Sequence, residues 1–294
     1  MKTSDWIKKN THSIGGKSVA VSGSTGGIGK ELCLHFASLG AKRIISLNRS
    51  EKRPIELERK LKDEFPSLVT EHITVDMENM DEVRAAADKL FEDGEIDYLV
   101  LNAGAYSIPR HKCSTGYDNV FQINFVSPYY MARKLLPRIS ERGGKVIAVG
   151  SIAHNYSKSD MNDIDFSSKN KSSKVYGNAK RYLMYSLWGS EQYLNNIVIS
   201  HPGITFTNIT AHYPKLIFAF IKHPMKIIFM KPKRASLSIL YGMFCDCQKN
   251  EWIGPRILGV WGFPRRKKLK SASTEEAMRM CRVADEIYKS IERE

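Results

Sequence analysis

Short apolar runs alternate with amphipathic, helix-period stretches along most of this chain, and that alternation limits the fold more than any other feature. The runs are Lys17–Ser22, Arg43–Leu47, Val69–Val75, Asp97–Leu101, Lys145–Val149 and Ile197–Ser200, with Ile257–Val260 as a candidate seventh. Helical sequence fills the gaps: from the glycine-rich turn to near Gly40, then Pro54–Glu64, Met80–Phe91, Gly116–Ser140 and Ser173–Tyr193, with residues 274–292 as a C-terminal helix. Pro128 and Pro137 are expected to bend or end parts of the longest helix. Such strands are buried on both faces. The expectation is therefore an α/β protein: a single doubly wound parallel sheet of about seven strands, with helices on both faces and right-handed crossovers. Residues 1–16 read as an N-terminal extension with a helix around Trp6, ahead of one domain over 17–294.

The 294 residues suffice for one large domain, and 42% hydrophobic with 26% charged residues is a globular composition. No apolar stretch follows the charged start MKTSDWIKKN, so no secretory signal is expected. Leu216–Met230 is too short, and too broken by Lys222, His223, Pro224 and Lys226, to span a bilayer. The five cysteines are scattered, and Cys245 with Cys247 makes an isolated C-x-C pair without partners at zinc spacing. Reduced thiols in a cytoplasmic protein, with no metal site, are the expectation. The net charge of +14 invites nucleic acid or an anionic membrane. It is diffuse, however, except at Arg265, Arg266, Lys267, Lys268 and Lys270, and no nucleic-acid-binding motif accompanies it. A solvated basic surface is the reading taken, with weak attraction to anionic lipid as its alternative and no specific nucleic-acid partner.

In an open parallel sheet, ligands sit beyond the carboxyl ends of the strands. The polar residues there are Gly23–Gly29, Asn48–Arg49, Asp76, Asn102–Ala103–Gly104, Ser151 and Pro202–Gly203. Within the first group, Gly23, Gly27 and Gly29 space a turn that also holds Ser24, Thr25 and Ile28. Such a turn lets the backbone pass close to a diphosphate at a helix N-terminus. Glycine needed only for positive φ would look the same, and the convergence of the other strand ends favours the nucleotide. After the second strand, Asn48–Arg49–Ser50 offers no carboxylate for a ribose 2′-hydroxyl until Glu51. Arg49, with Lys30 adding charge, suits a 2′-phosphate, so NADP(H) is expected over NAD(H); a solvent-facing arginine is the alternative.

Tyr176 and Lys180 lie four apart in helical sequence and so share a face. A phenol with a pKa of about 10 needs nearby positive charge to act as a base near neutrality. Tyr130 and Lys134 repeat the spacing, but they precede the fifth strand inside an apolar helix and read as structural. Tyr176 follows Ser151, at the end of that strand.

Over residues 17–262 the chain resembles the short-chain dehydrogenase/reductase family, through the glycine turn, Asn102–Ala103–Gly104, Asn124, Ser151, Tyr176 with Lys180, and Pro202–Gly203–Ile204–Thr205–Phe206–Thr207 in that order. The resemblance implies a Rossmann-type fold with Tyr176 as general acid/base. It implies that Ser151 binds the substrate oxygen, that Lys180 holds the nicotinamide ribose and lowers the tyrosine pKa, and that Asn124 holds a water of the proton relay. Asp76 and Met77 resemble the adenine-contacting pair, and Thr205 and Thr207 the residues near the carboxamide. Gly150–His154, Gly259–Gly262 and the arginine after the second strand are similar to retinol dehydrogenase-like members.

The expected activity is interconversion of an alcohol with a ketone or aldehyde on a small hydrophobic substrate, steroid-, retinoid- or lipid-like. The alternative is a non-catalytic NADP-binding sensor or scaffold. Residues 206–231, unusually apolar for a connection, read as a substrate lid, a membrane-surface contact or ordinary packing. Asn155–Lys174 is expected to be a loop folding back between Ser151 and Tyr176. Location in the cytoplasm, peripheral to a membrane if the lipid contact exists, is expected from composition, and a homo-oligomer from the resemblance.

Overall fold

A computed structural model describes residues 2–156, 158–205, 229–269 and 273–293. The expected alternation is realised. Ser18–Ser22 (β1), Arg43–Asn48 (β2), Val69–Thr74 (β3), Tyr98–Leu101 (β4), Lys145–Val149 (β5) and Ile197–Ser200 (β6) are parallel, as is Glu251–Ile257 (β7). The helices are Thr3–Asn10 (α1), Gly27–Ser38 (α2), Lys52–Glu64 (α3), Met80–Asp93 (α4), Asn119–Phe121 (α5), Ser127–Glu141 (α6), Ser172–Gly189 (α7), Pro232–Gly242 (α8) and Thr274–Arg293 (α9).

The sheet has eight strands rather than about seven, and its last, Trp261–Lys268 (β8), is antiparallel to β7. The run Ile257–Val260 is a correction: Ile257 ends β7, and the three residues after it form the turn of the β7–β8 hairpin, with Gly259 at φ 73°. Arg265, Arg266, Lys267 and Lys268 of the basic cluster lie in β8, at the sheet edge, where charge and Pro264 block pairing with another chain.

Strand order is β3-β2-β1-β4-β5-β6-β7-β8. Because β1 pairs with both β2 and β4, the chain changes direction across the sheet there and leaves a crevice at the carboxyl ends. Alternate strand residues point to opposite faces, so each face carries its own apolar cluster. On one, Ala20, Leu99 and Ala148 pack with α4, α6, α7 and α9; on the other, Val19, Val100 and Ile147 pack with α2, α3 and α8. Trp6 of α1 joins the second cluster, stacked on Phe263.

The long helix expected over Gly116–Ser140 begins at Asn119, capped by Asp118, which accepts from the Val120 N–H at 2.9 Å. Gln122–Val126 widens into a π turn before α6. Pro128 supplies no N–H to the preceding turn, and a single wider turn accommodates that loss. Tyr130 is buried and bonded to Glu292, while Lys134 pairs with Asp88 at 2.8 Å, as structural residues.

Candidate active site

The turn after β1 is built around contacts that leave no room for side chains. Gly23 adopts φ 64°, and a Cβ there would lie 3.1 Å from Ala103 Cα. At Gly29 it would lie 2.2 Å from the Gly23 carbonyl oxygen, so only glycine closes this turn. α2 begins at Gly27, and its N-cap, Gly26, gives no side-chain cap, which leaves first-turn N–H groups for an anion.

Neighbouring strand ends tie this cradle down. Asn102 donates from Nδ2 to the carbonyls of Ser22 (3.0 Å) and Gly23 (3.1 Å), and the Ser22 hydroxyl accepts from the Asn102 and Ala103 N–H groups at 3.0 Å each. Asn48 donates to Ser24 Oγ at 2.8 Å and accepts from the Thr25 N–H at 3.3 Å. Asn48 is therefore buried scaffolding of the turn. Arg49 beside it is 74% exposed, with Nε 3.9 Å from Asp76 Oδ2, so a cation and the end of β3 meet at one edge of the crevice. Met77 is buried, and its carbonyl accepts from Ser127 at 2.7 Å.

Beyond β5, Ser151 opens a 3-10 turn, Ile152–Tyr156, and faces α7. The Ser151 hydroxyl is a neighbour of the Tyr176 phenol. Burial pushes that phenol up to about 12, while Ser151 pulls it down. Lys180, one turn on, is 2% exposed; Nζ donates to the Val149 carbonyl at 2.9 Å and sits 5.9 Å from the Tyr176 ring centre. Burial pushes its ammonium down to about 8. Asn124, in the π turn, is buried and donates to the Ala105 and Val120 carbonyls, each at 2.8 Å. A Cβ on Gly104 would lie 2.8 Å from Asn124 Oδ1 and 3.7 Å from Lys180 Nζ, so Gly104 joins the cradle to this centre.

Residues 17–162 match the family model described as short chain dehydrogenase. The chain belongs to the short-chain dehydrogenase/reductase family. Human retinol dehydrogenase 13 is 26% identical over 212 residues, covering 68% of this chain and 62% of that protein. Two crystal structures share the fold. A Mycobacterium paratuberculosis protein covers 96% of both chains at a TM-score of 0.75 and 19% identity. A short-chain dehydrogenase from Sphingobium yanoikuyae, solved with NADPH, covers 77% of this chain and 84% of that one at 0.59 and 20%. As a short-chain dehydrogenase/reductase with retinol dehydrogenase-like relatives, the protein is an oxidoreductase of alcohol and carbonyl groups that works with a nicotinamide dinucleotide.

The remaining expected residues of this dehydrogenase/reductase follow β6. Pro202 is buried, and Gly203, at φ 84°, would place a Cβ 2.5 Å from the Val260 carbonyl oxygen. Thr205 bridges to Met230, and its buried Oγ1 has no hydrogen-bond partner among the described residues. Thr207 lies outside the described residues, as do residues 206–228 of the expected lid and Lys270 of the basic cluster. Two participants carried no sequence signal. Tyr106 sets its ring edge against Tyr176, with centres 5.3 Å apart. Arg181 forms a forked pair with Glu276 of α9 (2.8 and 2.6 Å) and donates to the His154 carbonyl at 3.2 Å, which binds α7 to the turn after Ser151. Both depend on contacts remote in sequence, which no local spacing encodes.

Proposed function

We propose that this protein is an NADP(H)-dependent oxidoreductase that interconverts an alcohol and a ketone or aldehyde on a hydrophobic substrate, with Tyr176 as general acid/base. The observation that carries the reading is the meeting of Ser151, Tyr176 and Lys180 beyond β5, one glycine away from the nucleotide cradle.

The residues fit the dinucleotide. Gly23, Ser24, Thr25, Gly27, Ile28 and Gly29, with the start of α2, would hold the diphosphate. Arg49 would pair with the 2′-phosphate, Asp76 and Met77 would border the adenine, and Asn102–Gly104 would line the middle of the site. Thr205 Oγ1, without a hydrogen-bond partner among the described residues, would serve the carboxamide together with Thr207. When bound, the reduced nicotinamide supplies a hydride. In reduction, Tyr176 gives its proton to the carbonyl oxygen as charge develops there, and Ser151 donates a hydrogen bond to the same oxygen. Lys180 keeps a cation behind the phenol, fixed by the Val149 carbonyl, and lowers the cost of the phenolate left after transfer. Asn124 holds the β4–α5 connection through Ala105 and orders the water side of that relay. In oxidation the same groups work in reverse.

A hydrophobic substrate is supported by the retinol named for the human relative and by the apolar composition of residues 206–231. The β7–β8 turn adds exposed Leu258, Ile257 and Trp261 next to exposed Arg256, and Lys231 and Lys233 at the start of α8 are exposed as well, which favours weak contact with an anionic lipid surface. No helix among the described residues is long and apolar enough to cross a membrane.

The test is a panel of hydrophobic ketones and aldehydes assayed with NADPH and with NADH, for wild type and Arg49→Ala. Turnover with NADPH is expected, and Arg49→Ala should weaken NADPH at least tenfold while leaving NADH nearly unchanged. Equal loss for both cofactors would remove Arg49 as the phosphate partner. Tight NADPH binding with no turnover across the panel would favour a sensor or scaffold.

A further inference from the structure

Three metal-ligating side chains that lie apart in the sequence meet at the edge of the crevice. Glu78 follows β3, while His111 and Cys113 belong to the connection between β4 and α5. In that connection Lys112 forms an antiparallel bridge with Asp118. The Cys113 N–H donates to the Tyr117 carbonyl at 2.8 Å and the Asn119 N–H to that of His111 at 3.0 Å. Alternate residues of an extended segment share a face, so His111 and Cys113, on either side of Lys112, turn together toward Glu78. Their ligand atoms all lie within 4.8 Å of one another, and His111 Nε2 is 3.0 Å from Glu78 Oε2. A zinc ion with bonds of about 2.0–2.3 Å separates its ligand atoms by roughly 3.3–3.7 Å, so small adjustments of these side chains complete the set.

We propose that Glu78, His111 and Cys113 form a binding site for a borderline-soft divalent cation of the zinc type, leaving one coordination position open to water or another ligand. The surroundings hold the ligands in place. The Glu78 N–H donates to Asp76 Oδ1 at 3.0 Å, and its carbonyl accepts from Gln122 Nε2 at 2.6 Å, with Gln122 also bonded to Thr115. Asn119 Nδ2 lies 3.2 Å from His111 Nδ1, and its Oδ1 accepts from the His111 N–H at 3.4 Å, so Asn119 holds this residue beside Glu78. Burial, and then the carboxylates of Glu78, Asp118 and Asp76, pushes the Cys113 thiol up to about 11. Those same carboxylates attract a dication, and the thiol proton passes to solvent as the metal–sulfur bond forms. The site joins a loop at the adenine end of the crevice to one at the reaction centre: Asp76 and Met77 precede Glu78, and Tyr106, set against Tyr176, lies in the same connection as His111.

The test is a titration of the full chain with zinc chloride against a chromogenic chelator, in excess magnesium. One zinc per chain is expected. Cys113→Ser and His111→Ala should each weaken binding at least tenfold, and the double variant Cys245→Ser/Cys247→Ser should bind like wild type. Cobalt(II) in place of zinc should give a thiolate charge-transfer band that Cys113→Ser abolishes, an assignment read on the folded wild type as well as the variant. Absence of stoichiometric zinc binding by the wild type would overturn the proposal. So would binding that survives both Cys113→Ser and His111→Ala, or that is lost only in the Cys245/Cys247 variant.

Discussion

At the scale of single residues, burial sets the chemistry of the centre through two opposite shifts. The Tyr176 phenol is pushed up to about 12 and the Lys180 ammonium down to about 8, because each environment disfavours the charged form. Near pH 7 both groups hold their protons, so the phenol can donate and the cation stays behind it. As pH rises through about 8, Lys180 loses its charge and the phenolate loses its support. The kcat for carbonyl reduction should therefore decline above about pH 8 in a pH–rate profile. A profile flat to about pH 10 would contradict the role given to Lys180. Tyr176, Lys180 and Ser151 were legible in the sequence because one helical turn and one strand end place them. Tyr106 and Arg181 were not, since the contacts that give them meaning are made only in the folded chain.

At the scale of elements, α7 carries the residues proposed to react, Tyr176 and Lys180, and depends on α9 for its position. Arg181 and Glu276 are mostly buried, with side chains 9% and 17% exposed, and they meet in a forked pair. Removing one partner of such a pair leaves a charge without compensation. Glu276→Ala should cost about 3 kcal/mol in denaturant unfolding and lower kcat through the loosened His154 contact. A loss below about 0.5 kcal/mol would show that α9 does not hold α7 through this pair. The first six strands were legible because short apolar runs have few other uses beside helix-period sequence. The hairpin was not. Gly254 and Pro255 disguise β7, where they lie past its single pairing with β6 and run into an irregularity of the β7–β8 register, while Pro264 and four consecutive cations disguise β8, as an edge strand tolerates. Of the run that suggested a strand there, only Ile257 is in one, and Leu258, Gly259 and Val260 form the turn.

At the scale of the whole molecule, strand order is what turns scattered motifs into one site. Residues from Gly23 to Thr205 converge because every parallel strand delivers its carboxyl end to the same rim, and the reversal at β1 opens that rim into a crevice. Two apolar clusters, one on each face of the sheet, keep the rim rigid enough for Gly23, Gly29 and Gly104 to approach their neighbours without room for a side chain. The central claim is that this rim delivers a proton through Tyr176. It is tested most directly by NADPH oxidation with a hydrophobic ketone, compared between wild type and Tyr176→Phe, with NADPH affinity measured on both. NADPH affinity should stay within about threefold while turnover falls at least about 100-fold. Turnover undiminished in Tyr176→Phe would contradict it.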